Sequence, residues 1–165
     1  MTNKLDLNRT KPKLILKEIE KSYNLEFLDG LKKIPNIKIY FFGGFIRDLL
    51  LGKKWKDLDI RILLNKDWGT REKAIEKSLK KYVKIQEKLR FEQDKFTVYR
   101  FLPPKSSGKN SIDLTLAPTI RQAKSDFTIN DIFVDIVSGE IIDRHNGLED
   151  LKNVALKTVV NPKKQ

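Results

Sequence analysis

The chain has 165 residues, enough for one domain with a real core, and its 39% hydrophobic and 34% charged residues describe a globular protein with a heavily solvated surface. It has no cysteine, which excludes disulfides and thiolate metal sites, and no stretch near the roughly 20 apolar residues of a membrane span. The formal net charge of +12 favours a polyanionic partner, because each phosphate that is neutralised releases a condensed counterion; a solubilising lysine coat is the alternative.

The N-terminus lacks the apolar core of a signal peptide, so a cytoplasmic protein with no membrane partner is expected. Residues 12–33 read as a helix, with Pro12 early and Leu14, Leu16, Ile19, Tyr23 and Leu28 at helical spacing, and Pro35-Asn36 breaks it. Ile37 to Phe42 is a buried strand, Gly43-Gly44 turns the chain, and Phe45 to Leu51 is a short helix stopped by Gly52. Leu58 to Leu64 is the next strand. The periodicity predicts a surface helix over 70–90, opened by Thr70, with Ala74, Ile75, Leu79 and Tyr82 facing inward. From Arg71 to Lys95 nine basic residues stand against five acidic ones, +4 in all, a solvated or RNA-facing surface. Strands follow at Lys95–Leu102 and Ser111–Leu116, separated by a hairpin-like loop at 103–110 in which Ser106-Ser107-Gly108-Lys109 lacks phosphate-loop spacing and reads as a turn. Ala117 to Asp131 is partly helical. Ile132–Val137 and Glu140–Asp143 flank a two-residue turn at Ser138-Gly139, Gly147–Asn153 is a last short helix, and Val154–Val160 an apolar edge strand. The fold class is α+β, a single domain around one mixed sheet flanked by helices.

Asp57 and Asp59 are two apart on a strand, so both carboxylates share a face while Leu58 and Ile60 point to the core. Such a pair repels unless protonated or bridged by cations, and magnesium prefers oxygen ligands of this kind. Two solvated acids at a strand end are the alternative for the pattern taken alone. Asp113, between Ile112 and Leu114, is costly in mid-strand unless paired. If that strand lies beside Ile60, Asp113 joins the pair as a metal ligand or proton acceptor. Gly43-Gly44 before a helix permits close approach of phosphate, and Arg47 could reach it. Asp48 either anchors Arg47 or caps backbone groups. His145 reads as a surface or capping residue, and Trp55 and Trp68 as core packing or loop anchors.

Assembled, these residues resemble the head domain of the class II tRNA nucleotidyltransferase and bacterial poly(A) polymerase family, within the DNA polymerase β-like nucleotidyltransferase superfamily. Gly43-Gly44-Phe45-Ile46-Arg47-Asp48-Leu49-Leu50-Leu51-Gly52 with Asp57-Leu58-Asp59-Ile60 matches the family's first motif. Asp126-Phe127-Thr128-Ile129-Asn130 is similar to its second, and Gly139-Glu140-Ile141-Ile142-Asp143 with Gly147-Leu148-Glu149-Asp150-Leu151 to the segment closing the head. The resemblance implies that Asp57 and Asp59, with Asp113 as third acid, hold two Mg²⁺ ions. It places Gly43, Gly44 and Arg47 near the triphosphate and Asp126 and Asn130 near the ribose. The family's paired arginines before that aspartate are Lys124-Ser125 here, and Arg121, one helical turn earlier, could substitute. Within 1–165 the expectation is an N-terminal helical segment over 1–36 and a catalytic core over 37–160, without the family's neck, body and tail domains.

The implied activity is Mg-dependent, template-independent transfer of a nucleoside monophosphate from ATP or CTP to an RNA 3′ end, tRNA included. A partner protein or subunit would supply the missing neck and body function. Transfer to a protein hydroxyl, as in nucleotide-modifying toxins, and an inactive RNA-binding or partner-docking head are the alternatives.

Overall fold

The computed structural model describes residues 12–55, 57–64, 67–93, 95–102, 111–120 and 125–159. In chain order these form α1 (Pro12–Ser22), α2 (Glu26–Lys32), β1 (Ile37–Phe42), α3 (Gly44–Leu50), β2 (Leu58–Leu64), α4 (Trp68–Leu79), β3 (Ile85–Phe91) and β4 (Phe96–Phe101). β5 (Ile112–Ala117), a 3₁₀ turn (Thr128–Asn130), β6 (Ile132–Asp135), β7 (Ile141–Asp143) and α5 (Gly147–Lys152) follow. One mixed sheet of seven strands has the order β3-β4-β5-β2-β1-β6-β7, in which only β2 and β5 run parallel. The expected α+β class and mixed sheet are therefore what is found.

Alternation along β2 sets the layers. Leu58, Ile60 and Ile62 are fully buried and face Ile15, Ile19, Phe27, Leu31, Ile46 and Ile75 from the helices. The ring of Phe27 meets Phe101 of β4 edge-on at 5.3 Å, joining α2 to the sheet. Asp59, Arg61 and Leu63 point to the other face, where Tyr40, Leu63, Ala117 and Phe133 make a smaller apolar cluster. A slip of one residue in this strand would bury Asp59 among the helices, so the apolar alternation fixes which face carries the acids.

Several expectations are corrected. The first helix is two, because the chain leaves helical conformation at Tyr23–Leu25, and Asn24 Oδ1 accepts the Glu26 N–H at 3.1 Å to open α2. The helix expected over 70–90 begins at Trp68 and ends at Leu79, with Ile85–Phe91 a strand. This edge strand is exposed along almost all its length and shows neither period clearly, so pairing with β4 decides its state. Tyr82, expected inward, is 40% exposed. Between β5 and β6 the part-helical expectation is met by 3₁₀ structure at Ile120 and at Thr128–Asn130. The turn before β7 is longer than Ser138-Gly139: Asp135 accepts from the Val137 and Ser138 N–H groups, and the Gly139 N–H bonds the Asp135 carbonyl. The run expected as a strand over Val154–Val160 is not one across its described residues, 154–159. It carries one isolated bridge, Phe127 to Thr158, and follows a helix stop in which Ala155 N–H bonds the Asp150 carbonyl at 2.8 Å with Val154 at φ +53°. The 103–110 loop lies outside the described residues, although the strands it joins, β4 and β5, pair antiparallel as a hairpin would.

Candidate active site

The site forms where β1 ends and β2 begins. Phe42 pairs with Asp59, and the chain then turns at Gly43, whose φ of +88° is in the region that favours glycine. A Cβ there would lie 2.8 Å from Asp59 Oδ2, so the conformation and the close approach both require glycine. The Gly43 carbonyl accepts from the Ile46 and Arg47 N–H groups and starts α3. Gly52, at φ +66°, ends it with its N–H on the Leu49 carbonyl.

The sheet register carries this contact sideways. Glu87, Arg100, Asp113, Asp59, Phe42 and Phe133 pair in succession across six strands and share one face. Asp113 thus stands directly beside Asp59 on a parallel neighbour, which meets the condition that its strand lie beside Ile60. Burial pushes the Asp59 carboxyl up to about 6, and the carboxylates of Asp113 and Asp57 add to the effect. Arg61 and Arg100 pull the other way.

Asp57 lies just before the strand, exposed at the mouth of the site, and accepts from Ser111 N–H and Oγ, both at 3.1 Å. Asp113 is engaged differently. Arg100 grips it through two parallel hydrogen bonds of 2.7 Å, Nε to Oδ1 and Nη2 to Oδ2, and also lies 3.6 Å from Glu87. Among the described residues no group of three or more acids or histidines stands in metal-holding geometry. Asp57 and Asp59 offer hard oxygens of the kind Mg²⁺ takes, and burial with the neighbouring carboxylates holds Asp59 against ionisation.

Arg47 links α3 to the second motif. Its Nε donates to Asp48 Oδ1 at 2.9 Å and its Nη1 to Asn130 Oδ1 at 2.7 Å, so Asp48 anchors the arginine. Asn130 is held in turn by Ser125 Oγ on its carbonyl. Asp126 is exposed, and its carbonyl accepts the Val159 N–H. Arg121 and Lys124 lie outside the described residues. His145 is exposed, 3.4 Å from Asp131, while Asp143 rather than the histidine caps α5 through the Gly147 and Leu148 N–H groups. Trp55 packs on Phe45, and Trp68 Nε1 donates to Glu72, so both tryptophans anchor structure.

Sequence reasoning missed Arg100, Ser111 and Arg61. Arg100 alternates with buried Tyr99 and Phe101, and only the β4–β5 register reveals Asp113 as its partner. Arg61 is 8% exposed beside Asp59, with its guanidinium 4.4 Å from the Phe42 ring centre. Burial pulls its pKa down to about 10, and its Nε has no partner among the described residues.

The chain matches the model of the poly A polymerase head domain over residues 39–157. It is 29% identical to the CCA-adding enzyme of Enterococcus faecalis over 132 residues, 74% of this chain and 31% of that protein. Against the Lactobacillus helveticus CCA-adding enzyme the identity is 29% over 131 residues, 76% of this chain and 32% of the relative. The solved structure of the Thermotoga maritima CCA-adding enzyme complexed with tRNA superposes with a TM-score of 0.59 at 25% identity, covering 96% of this chain and 36% of that one. A CCA-adding enzyme in complex with CTP gives 0.59 at 26% identity, over 92% of this chain and 34% of that one. The chain spans about a third of the length of these relatives. With the first motif folded into a glycine turn against Asp59, and the family model matched over most of its length, the chain belongs to the poly A polymerase head domain family.

Proposed function

We propose that this chain is the catalytic head of a template-independent nucleotidyltransferase that moves a nucleoside monophosphate from an NTP, ATP or CTP, onto an RNA 3′ hydroxyl, with tRNA the first candidate acceptor. The observation that carries the reading is the contact of Gly43 with Asp59, with Asp57 at the mouth of the same turn. It is supported by relatives that are CCA-adding enzymes, one of them solved with CTP and another with tRNA.

Asp57 and Asp59 would hold the magnesium, two ions in the full site. A metal held there would neutralise charge on the α-phosphate and favour loss of the 3′-hydroxyl proton to solvent, so that the 3′-oxygen bonds phosphorus as the bond to pyrophosphate breaks. Gly43 and Gly44 leave room for the triphosphate, and Arg47, fixed by Asp48 and Asn130, offers it a positioned guanidinium. Asp126 and Asn130 border the ribose position, with Arg121 and Lys124 as further cations of that segment. Asp113 shapes the site through its charge beside Asp59; as a third ligand or proton acceptor it would share its oxygens with Arg100. Base selection and acceptor grip would come from neck and body elements, on this protein or a partner. No described helix is long and apolar enough to cross a membrane, and we place the activity in the cytoplasm.

Incubating the chain with labelled NTPs, Mg²⁺ and an RNA pool tests the proposal. Label on RNA that is abolished by EDTA and by Asp57→Ala/Asp59→Ala is expected. Label on a protein band would move the acceptor to a protein hydroxyl. No label, with RNA binding indifferent to Mg²⁺, would make the chain a non-catalytic docking head.

A further inference from the structure

β2, β5 and β3 all start at the same end of the sheet. Leu58 pairs with Ile112, Ile112 with Phe101, and Phe101 with Ile85, so one row of residues runs from the carboxylate strand to the edge strand. Asp57 and Lys84 each immediately precede a strand in that row. They are therefore separated by three inter-strand spacings, about 14 Å.

The turn before β3 is basic and open. Lys80, Lys81 and Lys84 are exposed around Tyr82, and Lys77 is exposed one turn back on α4. Gly30 packs so closely on Ser78 and the Tyr82 ring that a Cβ would collide there, which brings exposed Lys33, at the end of α2, to the same corner. The acids nearby are spoken for. Glu76 is held by Lys80 at 2.7 Å and by Lys88 at 2.7 Å, Asp29 by Lys32 at 3.6 Å, and Glu87 by Arg100 at 3.6 Å. Among the described residues no carboxylate pairs with Lys33, Lys77, Lys81 or Lys84. Tyr82, 40% exposed with one ring edge fixed against Gly30, offers a flat surface among these cations. Clustered lysines around an exposed ring suit the backbone and bases of a single-stranded polynucleotide.

We propose that the α4–β3 corner, Lys77, Lys81, Tyr82 and Lys84 with Lys33, is a docking surface for the acceptor RNA upstream of its 3′ end. The strand would run along the end of the sheet toward Asp57 and Asp59. The distance corresponds to about four stacked nucleotides at roughly 3.4 Å each. The inference rests on the transferase reading for its direction along the sheet, and on charge and exposure for the surface itself.

Binding of a fluorescently labelled oligoadenylate and of a tRNA acceptor-stem hairpin is measured against salt concentration for the wild-type chain and for Lys81→Glu/Lys84→Glu. Losing two phosphate contacts should flatten the log–log salt slope by about 1.4 and weaken binding about 25-fold at 0.1 M salt. Tyr82→Ser should cost the oligoadenylate about tenfold. The double variant should raise KM for long acceptors while KM for NTP and turnover of a dinucleotide acceptor stay unchanged, which also reports that it folds. Lys38→Glu/Lys95→Glu, which carries the same charge change at the other end of the sheet by register, should leave all of these near wild type. An unchanged slope in Lys81→Glu/Lys84→Glu, an equal loss in Lys38→Glu/Lys95→Glu, or a corner that binds anionic vesicles in preference to RNA would each overturn the proposal. RNA binding through this corner without label transfer would defeat the transferase reading and leave the surface standing; label transfer to long acceptors at wild-type KM in the double variant would do the reverse.

Discussion

Asp59→Asn is expected to stabilise the metal-free protein at neutral pH while abolishing transfer. In the folded chain the Asp59 carboxyl is pushed up to about 6 from 3.8, first by burial and then by Asp113 and Asp57. The folded state therefore holds that proton more tightly than the unfolded chain does. Its contribution is full below pH 3.8, fades as pH rises toward 6, and is absent above. A displacement of about two pH units corresponds to about 3 kcal/mol, the cost of keeping the carboxylate ionised among its neighbours at pH 7.5. Asparagine keeps the shape and removes the charge, so Asp59→Asn should unfold at higher urea by about 3 kcal/mol at pH 7.5, a figure already net of the attraction to Arg61 and Arg100. Near pH 4 the two proteins should be nearly equal. Urea unfolding followed by Trp55 and Trp68 fluorescence, with equal m-values, gives the difference at each pH. Saturating Mg²⁺, at 100 times its dissociation constant, should add about 2.7 kcal/mol to the wild type and nothing to the variant. A variant no more stable than wild type at pH 7.5, or a gap that is the same at pH 4 and pH 7.5, would refute the account of the crowded carboxylate.

Gly43→Ala should lower stability by about 1–2 kcal/mol through its left-handed backbone and displace Asp59, and so reduce turnover well over tenfold with a modest change in KM; steady-state kinetics beside a thermal melt check it. Arg47→Met and Asn130→Ala should each raise KM for NTP. Because the two side chains share a 2.7 Å hydrogen bond, a double-mutant cycle should give a coupling of about 1.5–3 kcal/mol, and additive effects would break the link between the motifs. Arg144→Met should cost about 3–5 kcal/mol in urea unfolding, since it strips the paired guanidinium from Asp131, which is fully buried.

The central part of the fold was legible because local and tertiary signals agree there. Ile37–Phe42, set off by Pro35-Asn36 and the Gly43 turn, and Leu58–Leu64, set off by polar residues on both sides, are apolar runs, and β1 and β2 take those residues. The same alternation that buries Leu58 and Ile60 sends Asp59 outward, so the face bearing that acid could be read without coordinates. Asp113 was legible for a related reason: an acid flanked by residues as apolar as Ile112 and Leu114 demands a partner, and one was found. At the periphery the signals disagree. Ile85–Phe91 follows an amphipathic helix and has no buried face of its own, so only its hydrogen bonds to β4 make it a strand. Val154 and Leu156 look like strand residues, yet they are 93% and 66% exposed because α5 ends in a tight backbone stop that sends them outward.

What sequence could not give was the identity of the partner for Asp113. A search for metal ligands counts acids, and on that count Asp57, Asp59 and Asp113 make a triad. Sheet register adds Arg100 to the same row, and two 2.7 Å bonds to a guanidinium occupy both carboxylate oxygens of Asp113. The physics then divides the acids by surroundings. Asp59 is half-buried beside two further carboxylates, and a divalent cation would relieve its repulsion the most. Asp57 is exposed at the mouth, where a metal can enter and exchange its water. Asp113 already has Arg100 as its counter-ion. The pairing of Asp113 with Arg100 follows from register, and register is a long-range property that residue spacing along one strand does not encode.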